Sequence, residues 1–160
     1  MRETRQWRGR GVLGSLLVLA AAGCASMDAP KMTASEAIAA RQQLMKDQGA
    51  AMRSIQEKLK TDQIQAIAPE AEKLAKTAKE MLAMFPAGSV NPATSRAKPE
   101  IWQKWSEFEG YAKSLDAKAT KLAATARTGN AQLARAEATD LGKTTCGACH
   151  NAFRGPEIKK

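Results

Sequence analysis

A chain of 160 residues with one His and three Cys has room for a single domain and one core. It cannot build a multi-His zinc site or pair its cysteines into a closed disulfide scaffold. Its 25 Lys and Arg against 16 Asp and Glu give a formal charge of +9, but only 4 % of the residues are aromatic, few for a base-stacking surface.

Residues 1–10 hold Arg2, Arg5, Arg8 and Arg10 against Glu3, and an apolar run from Val12 to Ala22 follows. This is the order of a secretory signal peptide, and the run is short for a transmembrane helix. Residues 1–23 are therefore expected to be a signal peptide. Ala21-Ala22-Gly23-Cys24 resembles a bacterial lipobox, in which Cys24 is lipidated and becomes the first mature residue. Ala21 replaces the usual Leu, so ordinary cleavage near Ala25 or Ser26 stays open. Residues 1–23 carry four Arg and one Glu, which leaves a mature charge of +6.

Residues 24–33 read as a spacer and 34–155 as one helical domain, with 156–160 as a tail. Thr33 followed by Glu36 is a capping box. The first helix is expected to run to about Lys60, with an inward row of Ile38, Arg41, Met45, Gln48, Met52, Ile55 and Leu59. The polar Arg41 and Gln48 do not suit a plain core. The second pattern, 62–85, aligns Ile64, Ile67, Ala71, Leu74, Ala78, Met81 and Phe85. Pro69 inside it predicts a kink or a later start. Residues 86–99, with three Pro, form the one long connection. The third pattern aligns Ile101, Trp105, Phe108, Ala112, Leu115, Ala119, Leu122 and Ala126, and Gly129-Asn130 stops it and caps the fourth, 131–153. Four amphipathic helices without strand patterning predict an all-α fold, an antiparallel four-helix bundle. Its many Ala leave little side-chain volume, so something bulky is expected inside. Basic and acidic residues alternate along every helix, and no nucleic-acid partner is expected.

Cys146-Gly147-Ala148-Cys149-His150 is the C-x-x-C-H pattern of covalent c-type haem attachment. Two thiols add to the two haem vinyl groups, and the adjacent His150 reaches the iron. A thioredoxin-type dithiol would need a βαβ context, and zinc would need a fourth ligand. With no second His, Met is the usual partner across the iron, and Met45 stands out among Met45, Met52, Met81 and Met84. Arg41 lies one turn before it, placed to pair with a haem propionate.

Arg41-Gln42-Gln43-Leu44-Met45-Lys46, Phe85-Pro86, Pro99-Glu100-Ile101-Trp102 with Phe108, and Cys146 to Arg154 together resemble the class II cytochromes c, the cytochrome c′ family. The resemblance spans residues 34 to 154. It implies a four-helix bundle with one haem c on the last helix, a periplasmic location in a Gram-negative bacterium, and no enzymatic activity. It also implies a basic Arg154 near the proximal His150 and a propionate, and in many members a homodimer through the first two helices, although no extra apolar stripe is visible here. Low-spin members carry Met at the position of Met45 as sixth ligand and act as electron carriers. That is the expected function, with lysines steering an acidic redox partner. The alternative is a high-spin cytochrome c′ with an open sixth site for nitric oxide or carbon monoxide.

Overall fold

A computed structural model describes residues 32–158. The predicted signal peptide and Cys24 lie outside the described residues. Helix α1 (Ala34–Lys60) begins at the Thr33 capping box, where Thr33 Oγ1 accepts from Glu36 N and the Glu36 carboxylate accepts from Thr33 N at 2.8 Å. Pro69 starts a helix rather than kinking one. A 3₁₀ turn at Gln65–Ile67 leads into α2 (Ala68–Met81), with Pro69 in the first turn, where its missing N–H costs no bond. The whole predicted row from Ile64 to Phe85 is buried.

The third pattern is interrupted. A single turn, α3 (Glu100–Gln103), ends at Lys104 with φ −119° and ψ 45°, and α4 (Trp105–Arg127) restarts there. The offset turns Trp105 out of its expected row, to 36 % exposure. Trp102 takes the inner place, and its indole N–H donates to the carbonyls of Phe85 and Pro86, both at 3.1 Å. Gly129, at φ +75°, closes α4, and Asn130 Oδ1 accepts from Leu133 N to start α5 (Ala131–Asp140).

The last helix continues through a π-helical turn, Leu141–Gly147, into α6 (Ala148–Phe153). Its inner row is Ala134, Ala138, Leu141, Thr145, Cys149 and Phe153, with Cys149 half-buried. From Leu141 to Phe153 is twelve residues, about 3.3 turns of regular helix, which would leave Phe153 about a third of a turn off the row. The wider π turn takes up that difference and keeps Phe153 facing inward.

The long helices form an antiparallel four-helix bundle in which α4 packs chiefly on α2. Two apolar clusters divide it along its axis. One joins Ala51, Ile55, Ile67, Leu74 and Leu122 to Leu141. The other, at the opposite end, joins Leu44, Met81, Phe85, Ile101, Phe108, Ala112 and Phe153. Leu44 is buried although it was absent from the predicted α1 row, while Met45, Gln48, Met52 and Leu59 are only half-buried.

Candidate haem-binding site

A cleft of about 610 Å³ opens beside the second cluster, within the usual range for a small-molecule site. It brings together Met45 and Arg41 of α1 and Cys149, His150 and Phe153 of α6, with Arg154 just after it. Phe85, Ile101 and Phe108 make its apolar wall. Cys146 is half-buried and packs on the first cluster, whereas Cys149 packs on the second. The two thiols thus straddle the junction between the clusters.

Burial pushes both thiols up, Cys149 to about 11 with help from Cys146 and Glu107. A dithiol redox couple needs the reverse, a depressed thiol pKa. Burial, and then the charges of Arg154 and Arg96, pull the His150 pKa below 6.5. The imidazole is therefore neutral at neutral pH and keeps the lone pair a metal requires. Arg154 is exposed, and its backbone N–H donates to the carbonyl of His150 at 3.0 Å, closing α6.

Arg41 is only 3 % exposed, and burial lowers its pKa from the ordinary arginine value, though a guanidinium stays charged. Its Nη1 donates to Ser89 Oγ at 2.9 Å, and its Nη2 to the Ser89 carbonyl at 2.7 Å and to Ser95 Oγ at 2.8 Å. The guanidinium also lies over the Phe85 ring, 5.1 Å from its centroid. Sequence spacing gave Arg41 to a propionate alone. It did not reveal that most of its donors hold the 86–99 loop, because Ser89 and Ser95 carry no pattern of their own. Nη1 also donates to the Met84 carbonyl at 3.5 Å, which leaves one donor over. Arg41 Nε is buried with no hydrogen-bond partner among the described residues. A buried cationic N–H needs an acceptor, so the site fits a carboxylate-bearing group.

The loop is also tied to the end of α6. Lys98 N donates to the Phe153 carbonyl at 3.0 Å, Gly155 N to the Arg96 carbonyl at 2.7 Å, and Arg96 Nε to the Gly155 carbonyl at 2.9 Å. The two backbone bonds form an isolated antiparallel bridge between Ala97 and Arg154. It sits beside the cleft, whose charged lining is Lys46, Arg96 and Arg154, with Glu157 paired to Arg96 at 3.7 Å. Sequence reading placed no residue of 86–99 at the site.

A four-helix bundle with C-x-x-C-H on its last helix, beside an apolar cleft, defines a class II c-type cytochrome. The family model described as Cytochrome C′ matches residues 36–154, and the chain belongs to the cytochrome c′ family. Cytochrome c′ from Thermochromatium tepidum is 30 % identical over 79 % of this chain and 99 % of its own, with a TM-score of 0.69. A cytochrome c′ with ligand-controlled dimer dissociation is 27 % identical over 78 % and 98 %, with a TM-score of 0.70. The nitric oxide complex of a mutant cytochrome c prime from Alcaligenes xylosoxidans is 25 % identical over 78 % and 98 %, with a TM-score of 0.69. No curated protein sequence matches. The family binds covalent haem c, and Cys146 and Cys149 stand in the order that attachment needs. Its members are typically periplasmic haem proteins and generally not enzymes.

Proposed function

We propose that this cytochrome c′ holds its haem through Cys146, Cys149 and His150 and keeps the opposite face open to a small diatomic gas, nitric oxide or carbon monoxide. The observation that carries this reading is the apolar wall of the cleft, Phe85, Ile101 and Phe108, beside which Met45 is only half-buried. Similarity to a nitric oxide complex supports the same reading. A bound haem supplies an iron that takes a sixth ligand and exchanges one electron with a donor.

The chain's own residues do the rest. Cys146 and Cys149 would fix the ring to the last helix by thioethers, and neutral His150 would offer its lone pair to the iron. Arg41 Nε would donate to one haem carboxylate inside the cleft, and the Arg154 guanidinium to the other at its mouth. Met45 limits the size of what enters. The apolar wall excludes water and favours an uncharged ligand.

The second reading is an electron carrier with Met45 as sixth ligand, docking an acidic partner on Lys46, Arg96 and Arg154. Its support is that Met45 and His150 line the same cleft. The optical spectrum of the holoprotein in both oxidation states, before and after carbon monoxide, separates the two. The gas-binding reading expects a high-spin resting spectrum and a carbon monoxide adduct of the ferrous form. A low-spin spectrum indifferent to carbon monoxide, turned high-spin by Met45→Ala, would establish the carrier instead. Residues 1–23 are proposed as an export signal, with Cys24 as a lipid anchor. The intact mass of membrane-extracted protein tests this, and an unmodified N-terminus after Ala25 would exclude the anchor.

A further inference from the structure

The loop 86–99 is hydrogen-bonded to both α1 and the end of α6, the two helices that bring Met45 and His150 to the cleft. On one side it is held by α1. Arg41 donates to Ser89 and Ser95 at 2.7 to 2.9 Å, and Gln42 Nε2 donates to the Thr94 carbonyl at 2.7 Å. On the other side it is held by the end of α6, through Lys98 N to Phe153 O, Lys98 Nζ to Ala152 O at 2.9 Å, and the paired Arg96–Gly155 bonds. Within the loop, Ser95 Oγ also accepts from Ala97 N at 3.2 Å, so the two attachments share one residue. The α1 anchor is buried: Ser89 is 1 % and Ser95 5 % exposed. Bonds of this kind, one partner charged and both shielded from water, are the strong ones.

We infer that Ser89 and Ser95, through Arg41, are positioning residues that set how far Met45 stands from the haem carried by α6. Met45 follows Arg41 by one helical turn on the same face of α1. A tether that pins Arg41 to the loop, and the loop to the carbonyls of Ala152 and Phe153, limits the separation of the Met45 and His150 backbones. The inference rests on the gas-binding reading of the cleft, in which Met45 flanks the iron. A slack tether then lets α1 move outward, Met45 retreats, and a gas reaches the sixth position faster.

The test is carbon monoxide association to the ferrous holoprotein after flash photolysis, in the wild type and in Ser89→Ala/Ser95→Ala. Amide hydrogen exchange is followed over α1 and 86–99. The double variant should associate carbon monoxide at least fivefold faster and exchange faster in both segments. Ser95→Thr, which keeps a hydroxyl, should restore the wild-type rate to within twofold. Lys118→Ala breaks an ion pair to Asp140 away from the loop and should leave the rate unchanged. If the double variant does not retain haem, Ser95→Ala and Gln42→Ala are read alone, each expected to accelerate association at least twofold. An unchanged rate in variants that keep their haem would overturn the inference, and so would an equal acceleration in Lys118→Ala. Failure of the gas-binding reading shows separately, in the resting spectrum of the wild type.

Discussion

Ten of the seventeen buried residues at one end of the bundle are alanine, whereas the seven at the cleft end include three phenylalanines and one alanine. The first end closes because small side chains let α1, α2, α4 and α5 approach and fill the space with backbone. The second cannot close that way. Its helices are held apart by Phe85, Phe108 and Phe153, whose rings meet edge to face at 4.7 Å and 5.6 Å, and by a loop bonded to a buried arginine. One end is stabilised by close packing that needs nothing added. The other is an aromatic frame around a cleft, fixed by directional bonds at its rim.

The largest expected effect tests that division directly. Phe108→Ala at the cleft end and Leu122→Ala at the closed end each remove a fully packed side chain. Each should destabilise the holoprotein, by about 3–5 and 2–5 kcal/mol respectively. Denaturant titrations should rank them alike, but only Phe108→Ala should shift the haem absorption bands. A matching shift from Leu122→Ala would mean that the two ends act as one.

Arg41→Met comes next. Methionine fills much of the space but leaves the Ser89 carbonyl and two buried hydroxyls without their donor. The expected loss is about 1–3 kcal/mol, the usual cost of a buried polar group left unpaired. It should appear as lower denaturant stability together with proteolytic cutting within 86–99. Equal stability with an intact loop would show that the rings of Phe85 and Trp102, rather than the hydrogen bonds, hold this rim.

The contrast also explains what could be read from the residues alone. The Ala-rich rows of α2 and α4 follow helical periodicity, so the four-helix bundle was visible in their spacing. C-x-x-C-H is contiguous and carries its chemistry in its order. Arg41 was conspicuous as a charge on an inward row, but its serine partners lie 48 and 54 residues away in a stretch without periodicity. Trp105 was misplaced because the break at Lys104 shifts the phase, and no Pro or Gly marks it. The π turn leaves one faint trace, the three consecutive four-residue steps from Leu141 to Phe153. A regular helix would mix threes with fours.

The smallest effect sharpens the comparison from the closed end, through pH. Glu70 sits between α1 and α2, paired with Lys58 at 3.2 Å and Lys73 at 3.1 Å. Burial pushes its carboxyl up, but the hydrogen bonds and charges of Lys73 and Lys58 outweigh this and hold it below 4.5. A carboxylate with a depressed folded pKa adds stability above its unfolded pKa, and that share is lost as pH falls through the folded value. Stability should therefore decline on acidification below about pH 4.5, and Glu70→Gln should flatten part of that decline. Urea midpoints of both proteins between neutral and acid pH read the difference, with the haem spectrum followed in parallel. An identical acid slope in the variant would remove Glu70 as a source of acid sensitivity. A spectral change specific to Glu70→Gln would show that the closed end reaches the cleft after all.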